Sequence, residues 1–262
     1  MSADDLAVRE APSEEPRVAS AFWEQAGTVA LAVLIALGIR SFVIEPFRIP
    51  SGSMFPTLLI GDHLFVNKFI FGIQVPFTQR RLPGLREPER GDVVVFTVAR
   101  QGSQTFPADL RPELPREEFV KRIVGLPGDR IDIVDGAVYV NGEPLGATPQ
   151  DEFFEDDRGQ HLAVSQVSLP DRNFRVLHDP HRKSREKETF TVAPGRYFML
   201  GDNRDYSKDS RVWGSVRLAE IKGPAFMLYW SWTFNGDWME LLRPATWWGA
   251  DVRWGRIGHA IE

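Results

Sequence analysis

Ser53 lies in the segment Ile49-Pro50-Ser51-Gly52-Ser53-Met54-Phe55-Pro56-Thr57-Leu58, just past the one long apolar stretch of the chain. Lys121 lies in Phe119-Val120-Lys121-Arg122-Ile123-Val124-Gly125-Leu126-Pro127-Gly128-Asp129. A serine hydroxyl is a weak nucleophile until a neighbour removes its proton. A lysine can do that only where apolar surroundings disfavour its ammonium form. Phe119, Val120, Ile123 and Val124 flank Lys121 and offer such a setting. The two residues therefore read as a Ser/Lys hydrolase dyad. Each has a plainer reading when taken alone: a turn serine in Pro-Ser-Gly-Ser, and a surface lysine beside Arg122.

A third cluster supports the pair: Gly201-Asp202-Asn203-Arg204-Asp205-Tyr206-Ser207-Lys208-Asp209-Ser210-Arg211-Val212-Trp213-Gly214. Small polar residues this dense, directly after an apolar run, suit a loop that pins other groups. A calcium loop is excluded, because Ser210 stands where the turn glycine belongs and Val216 where the bidentate glutamate belongs. The five histidines are scattered, and nothing in the sequence calls for a metal or a cofactor. The absence of cysteine rules out disulfides and thiolate chemistry but leaves the compartment open. A formal charge of −5 speaks against nucleic acid as a partner.

Other elements must place these residues. Residues 1–20 are polar and acidic and read as a disordered tail. Ala26 to Ile39 carries no charge, yet is shorter than the roughly 20 residues that cross a bilayer. With Phe22 and Trp23 before it and Phe42, Val43 and Ile44 after it, a transmembrane anchor over 21–45 becomes long enough. Glu24 and Arg40 would reach outward from near its ends. A cleaved signal peptide fits poorly: the segment starts late, lacks a basic cluster before it, and has no convincing small-x-small site. A buried core helix is the other reading. Arg9 and Arg17 on one side against Arg40 and Arg48 on the other leave orientation open.

Beyond the anchor the pattern is β. Val93–Val98, Arg130–Val134, Ala137–Val140, Thr189–Val192, Arg196–Leu200 and Ala225–Trp230 are rich in β-branched and aromatic residues. Asn141-Gly142 marks a tight hairpin. The expectation is a mainly β catalytic domain over 46–262, an antiparallel sheet or barrel. Two stretches interrupt it. Residues 100–117 read as a polar, proline-bearing loop, and residues 147–188 as a charged insert, a solvated face or loop. Tryptophans gather between Trp230 and Trp254, either to fill a core or to form an apolar rim at a membrane interface.

Taken together, these segments resemble the bacterial type I signal peptidases, membrane-bound Ser/Lys endopeptidases. Glu45-Pro46-Phe47-Arg48-Ile49-Pro50-Ser51-Gly52-Ser53-Met54, Val66-Asn67-Lys68, Gly91–Phe96, Lys121–Asp129, the Gly201 cluster and Val252–Gly258 follow in that family's order. The resemblance implies Ser53 as nucleophile and Lys121 as neutral general base. It implies the Ser51 hydroxyl as a partner to the Ser53 N–H at the oxyanion, and Ser207 as the group that orients the lysine. Asp209 and Arg211 would form a supporting salt bridge, and Met54 would pack beside the nucleophile. The substrates would be secretory preproteins, bound as an added strand and cut after small-x-small sites. Ile49 and Pro50 would stand at the pockets. No cofactor is implied.

With one anchor where many relatives have two, the resemblance places the amino terminus in the cytoplasm. The catalytic domain would lie on the extracytoplasmic (periplasmic) side of the cytoplasmic membrane, against lipid. The 147–188 insert would be an accessory β region. Two competing readings are a self-cleaving repressor, disfavoured by the apolar helix, and a membrane-anchored β domain that binds without catalysis.

Overall fold

The computed structural model describes residues 15–73, 81–182, 187–233 and 252–262, and the backbone alone for 15–22. The chain divides into two compact units that meet in sequence between Phe42 and Val43. The first is a helix, α1 (Glu15–Phe42), apolar on every side through its second half. Its stretch Trp23–Phe42 is 20 residues long with mean hydropathy 1.6. Val29, Leu34, Ile35 and Leu37 along it are exposed.

Both ends of α1 depart from expectation. Residues 15–20, expected to be disordered, are helical. Pro16 fits there because a first-turn N–H has no intrahelical acceptor to lose. Residues 1–14 of the expected tail lie outside the described residues. At the other end the helix stops at Phe42, whereas the expected anchor ran to residue 45. Ile44–Arg48 forms strand β1, paired antiparallel with β2 (Asp62–Asn67) from Ile44↔Asn67 to Arg48↔His63. Apolar character continues across the join, while the periodicity changes from helix to strand.

The second unit is built on three antiparallel sheets. The largest joins β1 and β2 to β15 (Ile221–Ser231), then β3 (Val93–Gln101), β5 (Arg116–Gly125), β13 (Arg196–Leu200) and β14 (Val216–Arg217). Its centre follows from Val93-Val94-Val95-Phe96, all four buried. Val93 and Val95 enter one core with Ile49, Met54, Leu58 and Leu64, while Val94 and Phe96 enter another with Ile123, Met199 and Ile221. A strand covered on both faces reads as an unbroken apolar run, and this one does.

Residues 100–117 are a loop only over 108–115. β3 turns at Gly102 (φ +59) into β4 (Gln104–Pro107), with Gln101 opposite Gln104, and β5 begins at Arg116. A second sheet orders β12 (Glu188–Thr191), β6 (Arg130–Val134), β7 (Ala137–Val140) and β8 (Glu143–Pro144). Asn141 (φ 55) and Gly142 (φ 89) make the β7–β8 turn, the positive angles a tight hairpin requires.

The charged insert is not a loop: it folds as β9 (Ala147–Glu155), β10 (His161–Leu169) and β11 (Arg172–His178). Its charges lie on exposed positions, while Val167, Phe174 and Val176 pack with Ile131, Ile133 and Val138 of the second sheet. Of the tryptophan cluster, residues 238, 247 and 248 lie outside the described residues. Trp230 packs edge-on to Trp232 and Trp254, at 6.0 and 5.8 Å between ring centroids.

Gly223 lies where β15 shifts its register against β3, and a Cβ there would collide with the Asn67 carbonyl at the end of the neighbouring strand β2. Gly223→Ala is expected to destabilise the second unit by about 1–3 kcal/mol, read as a lowered midpoint of denaturant unfolding. An unchanged midpoint would show that the strands separate freely at this point.

Candidate active site

The sheet brings Ser53 and Lys121 together. Ser53 sits in a single 3-10 turn, Gly52–Met54, which leaves β1 by way of Ile49 to Ser51. Ile49 is pinned at both backbone groups, its N–H donating to Asp62 O and its carbonyl accepting from Gly61 N. Met54 is buried below the turn with Ile49 and Leu58, as expected for a residue packed beside the nucleophile. Lys121, on β5, is 4% exposed. Its Nζ lies 2.5 Å from Ser53 Oγ and donates to Val120 O at 3.0 Å. The Phe119 ring covers the same amine, with its centroid 5.6 Å away.

Burial is the largest influence on Lys121 and lowers its pKa from an ordinary 10.5 to about 8. Asp209 and Asp202 pull the other way, and Arg211 again favours the neutral amine. Desolvation prevails over two nearby carboxylates because each is already engaged. Asp202 takes Arg122 Nε and Nη2, both at 2.8 Å, with no exposure of either side chain. Asp209 takes Arg211 Nε and Nη2, also at 2.8 Å. The expected Asp209–Arg211 salt bridge is thus present.

Asp209 also caps the short helix α2 (Ser210–Trp213) and accepts from Gly201 N at 3.0 Å, closing the loop on itself. From this loop Asn203 reaches the Ser53 turn: its Nδ2 donates to Gly52 O at 3.1 Å and its N–H to Ser53 O at 3.2 Å. Gly201 is required at this approach, since a Cβ there would meet both Ser53 O and Ser207 Oγ.

Ser207 departs from expectation. It is buried, but its hydroxyl forms no hydrogen bond, and the bond expected to Lys121 is not made. The amine's hydrogen bonds go to Ser53 and Val120 instead. Ser51 is exposed beside the nucleophile, its hydroxyl unused by the turn. Ile49, Pro50, Ser51, Ser53 and Lys121 all line one groove of about 620 Å³. Its far wall is the β9–β10 turn at Asp156 and Asp157. Reading the sequence for chemistry passed over Arg122, Asp202 and Asn203. The last two stand in the Gly201 cluster, whose density of polar residues was the available signal. Arg122 had none, because a lysine-arginine pair on a strand reads as surface.

The arrangement holds an amine able to be neutral near physiological pH against a serine hydroxyl, at the edge of an open groove. Such a pair can generate a serine alkoxide equivalent for attack on a carbonyl.

A family model described as signal peptidase, peptidase S26, matches residues 22–230. Signal peptidase I of Pseudomonas fluorescens is 37% identical over 222 residues, covering 76% of this chain and 69% of that protein. Signal peptidase I of Pseudomonas aeruginosa is 34% identical over 250 residues, covering 87% and 78% respectively. A solved signal peptidase I from Enterococcus faecalis is 27% identical, covers 53% of this chain and 97% of its own, and superposes with a TM-score of 0.30.

Because burial opposes the ammonium, the Lys121 amine is expected to release its proton near pH 8 and to be charged below that. The ε-methylene signals of isotope-labelled lysine, followed by NMR across pH 6–11, check this. A midpoint above 10 would show that the amine is hydrated.

Proposed function

The chain belongs to the signal peptidase family, peptidase S26, and we propose that it is a membrane-anchored endopeptidase that removes signal peptides from secretory preproteins with Ser53 and Lys121. The observation that carries this reading is the 2.5 Å approach of a buried amine of lowered pKa to the serine hydroxyl.

In the proposed cycle Ser53 Oγ attacks the scissile carbonyl carbon while its proton passes to the neutral Lys121 Nζ. The carbonyl oxygen becomes an oxyanion, held by the Ser53 N–H and the Ser51 hydroxyl. Such donors are worth about 3 kcal/mol each. As the tetrahedral intermediate collapses, Lys121 returns the proton to the leaving amine. Water, deprotonated by the same lysine, then hydrolyses the ester and restores the serine.

The substrate lies as an added strand. Supporting this, β5 pairs with β3 from Arg116 to Arg122, whereas β13 takes its other side only from Arg122 onward. The outer edge from Glu117 to Val120 thus runs along the groove. Ile49 and Pro50, which line the same groove, bound the space for small side chains. Asp209 and Arg211 support the loop, and Ser207, whose unpartnered hydroxyl lies beside Gly201 as Ser53 O does, is the group assigned to orient the lysine.

The exposed apolar surface of Trp23–Phe42 suits a single bilayer span, about 30 Å at 1.5 Å per residue. We place the amino terminus in the cytoplasm and the second unit outside, in contact with lipid. The domain assignment follows: a short tail, the anchor, and a catalytic β domain carrying β9–β11 as an accessory region.

A model preprotein with an Ala-x-Ala site is expected to be cut after the second alanine by the detergent-solubilised protein. Ser53→Ala and Lys121→Arg should each lose at least about three orders of magnitude in rate, since guanidinium keeps its proton. Wild-type turnover should fall as pH drops below about 8, where the amine becomes charged. Turnover by Lys121→Arg, or a rate flat down to pH 5, would refute the base role. No cleavage by folded wild type with lipid supplied would favour an anchored domain that binds without catalysis.

A further inference from the structure

The Gly201–Gly214 loop draws together three buried or largely buried arginines but only two carboxylates that pair with them. Arg122 presents Nε and Nη2 to Asp202, and Arg211 presents the same two atoms to Asp209. Arg204 is 4% exposed, and its Nε and Nη2 have no hydrogen-bond partner. Its backbone is fixed nonetheless: the N–H donates to Leu177 O at 3.0 Å and the carbonyl accepts from Arg211 Nη2 at 2.5 Å.

A buried guanidinium with its fork unpaired is costly: the Asp202 and Asp209 charges act on Arg204 from nearby, but no hydrogen bond replaces the water it has left at Nε and Nη2. Asp205, the next acid along, faces elsewhere: it accepts from Asp179 N and stands 3.8 Å from His178 Nδ1. Arg204 lines a cavity of about 210 Å³ between β7 and β10, with Ser165, His178, Gly136, Val138 and Val167 among its walls. Asp135, at its rim, has interactions of its own. His178, held neutral by burial and by Arg204, adds no competing positive charge at neutral pH.

We propose that this cavity is a binding site for a small oxyanion such as phosphate or sulfate, with Arg204 as its anchor and the Ser165 hydroxyl as a second donor. A guanidinium donates readily to the oxygens of such an anion, as the two sister arginines do to carboxylates. The bound anion would complete the loop's charge balance one residue from Asn203, which seats the nucleophile turn. The site is separate from the catalytic groove and does not depend on the reaction assigned there.

Isothermal titration calorimetry of phosphate into the full-length protein in detergent, at constant ionic strength, tests it. Thermal melts with phosphate replacing chloride form the second arm. Saturable binding and a saturable rise in melting temperature are expected for wild type. Arg204→Met should weaken binding at least about tenfold, and Ser165→Val severalfold. Arg204→Met should also melt no lower than wild type in chloride, since it removes a buried unpaired charge. Sulfate should compete with phosphate. Absence of saturable heat in wild type, or binding unchanged by Ser165→Val and by any folded Arg204 variant, would overturn the proposal.

Discussion

Arg122 and Asp202 meet without any exposure to solvent, and the geometry around Ser53 depends on that meeting. Besides Asp202, Arg122 donates to Gly91 O ahead of β3, to Thr57 Oγ1 beyond the nucleophile turn, and to Glu262 O at the far end of the chain. One guanidinium thus ties together segments that the sequence keeps far apart. Its face is covered by the Phe174 ring of the accessory sheet, 3.9 Å from the centroid. A buried ion pair this well hydrogen-bonded adds little net stability over an apolar replacement. Losing one partner, however, strands the other and costs about 3–5 kcal/mol. Its role is to fix position.

The same pairing explains why a lysine can be neutral beside two aspartates. Bidentate contact with Arg122 and Arg211 commits both carboxylates, so neither makes a direct contact with the Lys121 amine. In direct contact with the amine are the serine hydroxyl, the Val120 carbonyl and the Phe119 ring, and burial outweighs the more distant pull of the two aspartates. Had either carboxylate been free to turn toward it, charge attraction would have favoured the ammonium form and silenced a base. The supporting salt bridges therefore act on the chemistry by withholding their charge from it.

The sequence announced strands wherever residues alternate or run apolar without interruption. β6, β7 and β13 stand where their residue types put them, and Asn141-Gly142 turns as its chemistry requires. Ser53 and Lys121 were legible because each sits in a setting that makes sense only with the other. The accessory β region was implied by the family resemblance alone, and the residue pattern hid its strands for two reasons. β9 is exposed along nearly its whole length, and its pairing with β10 shifts register between Ala163 and Ser165, which breaks the alternation that marks a strand. The end of the anchor was hidden because Val43 and Ile44 suit a bilayer and a strand equally. Arg122 was hidden by its partner's distance in sequence, since only the folded sheet reveals that a guanidinium in β5 points inward.

Lys121 and Arg122 are neighbours on β5 and, as strand residues must, they face opposite ways: one to the groove, the other to the interior knot. The strand therefore carries a parity. A one-residue slip of β5 against β3 and β13 would exchange the two cations, setting a permanent charge against the serine and a titratable amine against Asp202. No intermediate arrangement lies between these outcomes, because a side chain on a pleated strand points to one face or the other. Substitution can retune this centre by degrees, whereas a slip of register in β5 acts as an inversion unless a bulge absorbs it. Lengthening is free of that penalty in exposed turns such as Asp156–Gly159, which carry no such pair.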